Sequence, residues 1–214
     1  MNLKTSAVTP LSRRVRDTLA TFATALAASL AIPAGPAQAQ IVYQDTRPVR
    51  FFVGGGLTAG GDRLVTARYI NGSDDSLRGG GTVQFHGGVE FRVAPTVTLA
   101  LSAGYHIDAI DTFWGSTWFG RVPIEALGHV QVDPRWRIGG GLRVAVNPKL
   151  SSDGFAPDVE EHFRTAVGPV LEVEYLFTRQ FGLKLRGVSE RYKSKAGLPT
   201  VDGDHVGLIF NFYF

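Results

Sequence analysis

The sequence predicts an all-β chain in which eight antiparallel strands run up and down and close into a barrel. Three observations lead there. From residue 49 onward the apolar residues recur at every second position, not at helical spacing. The polar connections between these stretches are alternately tight and long. The charged residues of the stretches gather on one face.

The elements follow in chain order. Residues 1–18 are polar and basic, with Lys4, Arg13, Arg14 and Arg16. Leu19 to Ile32 form an apolar stretch too short to span a bilayer comfortably, broken by Pro33, Gly35 and Pro36. Ala37-Gln38-Ala39 has small residues where signal peptidase requires them, so residues 1–39 are expected to be a cleaved secretory signal peptide. Residues 40–48 form a short tail, and 49–214 the barrel. Strands are expected at about 49–59, 82–93, 97–108, 118–132, 136–146, 163–176, 181–192 and 205–214. Three connections are tight, at Ala94-Pro95-Thr96, Asp133-Pro134-Arg135 and Thr178-Arg179-Gln180. Four are longer, at 60–81, 109–117, 147–162 and 193–204. Pro123 and Pro169 each lack a ladder donor, which predicts a local bulge or a shift of register.

The two faces of the strands decide the solvent. The face holding Phe85, Leu101, Ile124, Leu142, Leu171, Leu185 and Phe212 carries one charge, Arg191. The opposite face carries fourteen: Arg50, Glu90, Arg92, Asp108, Arg121, Glu125, Arg137, Arg143, Arg164, Glu172, Glu174, Lys184, Arg186 and Glu190. A water-facing exterior would scatter charge over eight strands. An interior holds charge only if the charges pair, and these eight basic and six acidic residues nearly balance. The uncharged face is therefore expected to look out at lipid, where a midplane Arg or Lys costs about 2–4 kcal/mol. Aromatics near strand ends predict two interfacial girdles. Phe91, Trp136, Tyr175, Phe181 and Phe214 lie toward the tight turns, and Tyr105, Trp118 and Phe163 toward the long loops.

Charge and composition exclude several classes. Removing Lys4, Arg13, Arg14, Arg16 and Asp17 from 22 basic and 19 acidic residues leaves 18 of each, so no basic surface remains for nucleic acid. There is no cysteine, hence no disulfide, thiolate chemistry or cysteine-based metal site. No apolar run of helix-spanning length follows residue 39.

These residues resemble the small eight-stranded transmembrane barrels of bacterial outer membranes, the group of outer membrane protein X, the outer membrane protein A barrel and the opacity proteins. The resemblance covers about residues 47–214. The final strand, with Leu208, Phe210, Phe212 and the terminal Phe214, is similar to the family's C-terminal assembly signal. It implies periplasmic short turns, extracellular long loops, and handling by periplasmic chaperones and the barrel-assembly machinery. Lipid and lipopolysaccharide would surround a monomer. No peptidoglycan-binding domain follows Phe214, so wall anchoring is not implied.

Three functions compete. The first is a structural or surface-interaction protein using its loops, the second a narrow porin-like channel, the third a lipid A-modifying enzyme. An eight-stranded barrel is just wide enough for its own side chains, and long Arg and Glu residues would fill it, which disfavours a pore. The mixed charges of loop one (Asp62, Arg63, Arg68, Asp74, Asp75, Arg78) fit a solvated loop better than a dedicated phosphate site. His86, Ser102 and Glu90 share an inward face, but polar residues fill that face anyway. The family's lipid A deacylases carry a His and Ser two apart, a pairing absent here. The acyl pocket of the lipid A palmitoyltransferase is apolar, unlike this interior. Catalysis, a cofactor and a metal are therefore not expected. His86, His106 and His129 point inward at different depths, which suits hydrogen-bonded histidines better than a shared ion.

Overall fold

The computed structural model describes residues 47–68, 74–112, 115–153, 160–197 and 199–214. The expected signal peptide and most of the expected tail lie outside them. Eight long strands form a ring: β1 (Val49–Gly60), β4 (Thr82–Ala94), β5 (Val97–Thr112), β6 (Gly115–Gln131), β7 (Trp136–Asp153), β9 (Ala166–Leu176), β10 (Phe181–Val188) and β13 (His205–Tyr213). All neighbouring pairs are antiparallel. The seam joins the first strand to the last. Phe51 and Phe214 exchange backbone hydrogen bonds of 3.1 and 3.0 Å, and pairing continues to Gly60↔His205. Closure leaves no free edge in this ring, the condition a sheet needs in a medium without hydrogen-bond partners.

Five short strands decorate the end opposite the tight turns. β2 (Arg63–Arg68) pairs β3 (Asp74–Arg78), β8 (Glu160–His162) pairs β7, and β11 (Arg191–Tyr192) pairs β12 (Val201–Asp202). β11 is the end of the strand expected at 181–192, whereas β2, β3, β8 and β12 fall where the sequence predicts loops, and the structure corrects that expectation. It also removes the loop placed at 109–117, because β5 and β6 stay paired to Thr112↔Gly115. The β-branched and aromatic residues there, including Ile110, Thr112, Thr117 and Trp118, suit an extended pairing. β7 likewise runs on to Asp153. The strand expected at 163–176 starts only at Ala166, and that expected at 181–192 breaks at Ser189-Glu190.

The bulge is displaced from where the sequence suggested. Pro123 pairs Ala145 in register, and Pro169 pairs Leu142 in register. The register shifts between Gly120 and Val122, where Arg121 alone stands opposite Asn147 and Pro148 of β7. Asn147 has φ of 50°, a left-handed conformation that Asn tolerates better than most residues. Pro148, lacking N–H, falls where the ladder is already interrupted.

Sidedness is unambiguous. Leu57, Phe85, Leu142 and Leu171 are 64, 60, 57 and 70% exposed on the outer wall. Arg121, Arg137, Arg143 and Glu174 are at most 1% exposed inside it. A water-soluble barrel has the reverse arrangement. Here the exterior is apolar and the core is ionic, as in barrels that sit in lipid.

Candidate functional site

The barrel interior is built in storeys. Next to the tight turns, Arg137 sits between two carboxylates: its Nη2 lies 2.7 Å from Glu90 Oε1, and its Nε donates to Glu174. Arg50 Nε donates to Glu90 Oε2 at 2.7 Å, and its guanidinium stacks 4.1 Å above the Tyr213 ring. The Tyr213 hydroxyl donates to Glu174 Oε1 at 2.6 Å and accepts from Asn211 Nδ2 at 3.0 Å. Asn211 Oδ1 in turn meets His86 Nε2 at 3.0 Å.

In the middle storey, Glu172 holds His129 Nε2 at 2.6 Å and Lys184 Nζ at 2.7 Å. Arg186 Nη2 reaches Glu125 at 2.8 Å. Arg143 leads upward from there, with Glu125 at 3.0 Å, Glu190 at 2.7 Å, Gln84 Oε1 at 3.0 Å and His106 Nδ1 at 2.9 Å. Charge-assisted bonds of this length offset much of the cost of burying these ions, although Arg121 Nε and Nη1, Arg186 Nε and Glu172 Oε2 make no hydrogen bond among the described residues.

Glycines make the room. A Cβ at Gly139 would lie 2.4 Å from the His129 ring, and one at Gly54 would lie 2.0 Å from Asn211 Oδ1. Bulky ionic side chains fit within an eight-stranded ring because inward positions of the wall carry none of their own.

Towards the long connections the interior turns apolar. Phe119, Phe163 and Tyr192 pack edge to face, with centroids 5.4–6.3 Å apart. Leu77 of β3, Ala145 and Ala166 are buried with them, and Leu64, Leu150 and Val201 close over the cluster. The Tyr192 hydroxyl donates to Glu190 and so joins the aromatic cap to the ionic storeys. Below it, Thr82 donates to Asp108, which also accepts from the Arg78 amide at 2.7 Å.

Of the charges expected inside, Arg50, Glu90, Asp108, Arg121, Glu125, Arg137, Arg143, Glu172, Glu174, Lys184, Arg186 and Glu190 are drawn into this interior. Two are not: the structure corrects the placement of Arg164, and Arg92 reaches only the mouth of the interior. Arg164 is exposed, because β9 begins two residues later and Arg164 belongs to the connection, its amide donating to Lys193 O at 2.8 Å. Arg92 is half-buried at the tight-turn mouth, where β4 is about to end, and joins none of the interior ion pairs. His86, Ser102 and Glu90 form no relay, since His86 meets Asn211 while Arg50 and Arg137 hold Glu90. No group of three or more metal-ligating side chains occurs among the described residues.

The outer wall gathers aromatics at the tight-turn end. Trp136 and Tyr175 lie 4.8 Å apart, and Phe181, Phe212 and Phe214 form a chain of rings 5.0–6.0 Å apart, with Phe51 6.1 Å from Phe214. Phe91 is exposed there too. Phe51, Phe177 and Phe210 belong to the same band and were overlooked in the sequence; their outward parity was the available signal. Of the assembly-signal positions, Leu208, Phe210 and Phe214 are exposed on this wall. At the opposite end Tyr105 and Trp118 flank Gly120. Phe163, expected in that outer girdle, is instead 4% exposed in the apolar cap. The irregular step through Arg164 and Thr165 breaks the strict alternation on which that expectation rested.

No protein-family model matches the chain, and no curated protein matches it in sequence. Solved structures do match. The chain is similar to Ail, the attachment invasion locus protein of Yersinia pestis, at 11% identity and a TM-score of 0.52, covering 78% of this chain and 97% of that one. A structure of Ail in complex with the heparin analogue sucrose octasulfate gives 10% identity and a TM-score of 0.50 over the same shares. Neisserial surface protein A matches at 11% identity and a TM-score of 0.47, covering 78% and 96%. At these identities the likeness is one of fold, and the fold is that of the small eight-stranded outer-membrane barrels.

Proposed function

We propose that this chain is an outer-membrane barrel of a Gram-negative bacterium, exported on a cleaved signal peptide, whose role is structural and interactive at the cell surface. The observation that carries this reading is the filled interior. Ionic storeys span most of the barrel, and the Phe119–Phe163–Tyr192 cap closes it towards the long connections. Solute passage would require these groups to part, and breaking buried ion pairs costs several kcal/mol each. Work at such a barrel falls to what it presents outside, here the β2–β3 pair, the connection around β8 and the β11–β12 pair. A barrel of the same fold has been solved with a heparin analogue, so surface binding is compatible with the architecture. Lipopolysaccharide is the natural surrounding of such loops, and chaperones with the barrel-assembly machinery would act through Leu208, Phe210, Phe212 and Phe214.

Planar-bilayer recording tests the reading against a channel. Purified barrel should give no steady openings, and Phe119→Ala combined with Phe163→Ala should give none either, because the paired charges beneath the cap still fill the interior. Steady openings of the unaltered barrel, suppressed by enlarging interior side chains, would replace the surface role with conduction. Binding to lipopolysaccharide or host matrix should be lost on deleting residues 62–79 with the barrel still folded.

A further inference from the structure

We infer that the tight-turn mouth of the barrel is a binding site for a single carboxylate group presented by a soluble periplasmic ligand. The inference rests on the outer-membrane orientation proposed above, which puts this mouth in the periplasm. A cleft of about 30 Å³ opens there, lined among others by Arg50, Glu90, Arg92, Thr96, Thr98 and Arg137. That volume holds about one water-sized group, or one head of a carboxylate.

The charges of its floor are already matched. Arg50 and Arg137 are held by Glu90, and Arg137 also by Glu174. Arg92 is the surplus. It faces the cleft from the last turn of β4, and among the described residues its guanidinium has no ion pair or hydrogen bond. Its backbone is nevertheless fixed, the amide donating to Pro48 O at 2.8 Å and the strand pairing Thr98. Beside Arg92, on the adjoining strand and turn, the hydroxyls of Thr98 and Thr96 are also uncommitted among the described residues. Gln131 is not available, since its Nε2 donates to Asp133 O at 2.6 Å.

Arg47 also lines the cleft and has a partner of its own, so Arg92 and the two hydroxyls are the donors left to meet a ligand at this small opening. A guanidinium fork matches a carboxylate in bidentate geometry. The cleft lies within the ring, lined by inward-facing Glu90 and Arg137, whereas lipid headgroups surround the outer wall beside Trp136 and Phe91. This placement favours a ligand entering from the aqueous side over a headgroup phosphate.

The test uses the mature barrel refolded in a neutral detergent, with backbone and arginine side-chain NMR signals as the readout. Acetyl-alanyl-alanine should saturably shift the Arg92 Nε–H and Thr98 amide signals, and its C-terminal amide should not. Arg92→Gln should weaken binding about tenfold, and Arg92→Lys by less, since charge is kept and the fork lost. Equal shifts from acid and amide, or binding unchanged by Arg92→Gln, would overturn the inference. Shifts in nanodiscs of anionic lipid but not with the peptide would assign the site to a headgroup and overturn the carboxylate. Orientation is read separately. Thr178→Cys, in a chain without other cysteines, should react in whole cells only after the outer membrane is breached. Labelling from outside would sink the orientation while leaving the binding result standing.

Discussion

Arg137 is the residue on which the tight-turn storey depends. It touches Glu90, Glu174 and the Tyr213 hydroxyl at once, with 1% of its surface exposed. Arg137→Leu leaves Glu174 buried without its cation and Glu90 with Arg50 alone, and should destabilise the barrel by about 3–5 kcal/mol. Urea-driven unfolding from lipid vesicles, followed by tryptophan fluorescence, measures this. Adding Glu174→Leu should recover much of the loss, because an apolar filling replaces the orphaned charge while Glu90 keeps Arg50. Most of this storey was legible in the sequence, since alternation fixes which side of a strand a residue faces. Depth was not legible. Arg92 and Arg164 have interior parity, yet one stands at the mouth and the other beyond the start of β9. Parity says in or out only while a strand lasts, and propensity does not mark strand ends sharply.

At the scale of the element, β7 bends at one point. Asn147 with its φ of 50° lets two residues of β7 face Arg121 of β6. Asn147→Val should cost about 1–2 kcal/mol, because a β-branched side chain resists the left-handed region, while Asn147→Gly should be close to neutral. The same urea titration reads both. The sequence pointed to Pro123 as the irregular position. Beside Pro123 the ladder to β5 lapses between Ala103↔Ile124 and His106↔Arg121 without a change of register, whereas the extra residue of the bulge falls at Asn147-Pro148 of β7. Beyond the bulge, Glu160 of β8 accepts from Lys149 Nζ at 2.7 Å and His162 Nε2 at 2.9 Å. The Lys149 bond first, and His162 with it, holds this carboxyl below the usual carboxylate range. A carboxyl depressed in the folded state supports folding above its ordinary range and loses that support as pH falls through the depressed value. The β7–β8 pairing should therefore persist at neutral pH and fray in acid below the usual carboxylate range. Amide shifts of residues 149–151 and 160–162 across a pH titration check this, and Glu160→Gln should remove the pH dependence.

For the whole molecule the decisive property is an inverted partition of polarity, with lipid-compatible surface outside and ions inside. Leu142→Arg places a charge at the middle of the outer wall and should cost about 2–4 kcal/mol in vesicles. Leu142→Phe should be tolerated. The contrast, measured by folding titrations in bilayers, would vanish if the wall faced water. Fold and sidedness were thus readable from pattern alone, because eight strands repeat the same binary rule. The aromatic cap was not, since it assembles Leu77, Phe119, Phe163 and Tyr192 from four distant stretches, and only three-dimensional closure brings them together.

The unequal lengths of the strands have a mechanical consequence. Pairing of β7 with β9 stops at Ala145↔Ala166, yet β7 goes on to Asp153, alongside β6 from Gly115 and β5 to Thr112. At about 3.3 Å per residue, β7 runs roughly 25 Å past the end of its pairing with β9. Past that point β7 is held by β6 on one side and, at residues 149–151, by β8 on the other. This stretch of wall is thus a hydrogen-bonded extension and not a loose loop, so whatever docks there meets a surface of fixed shape.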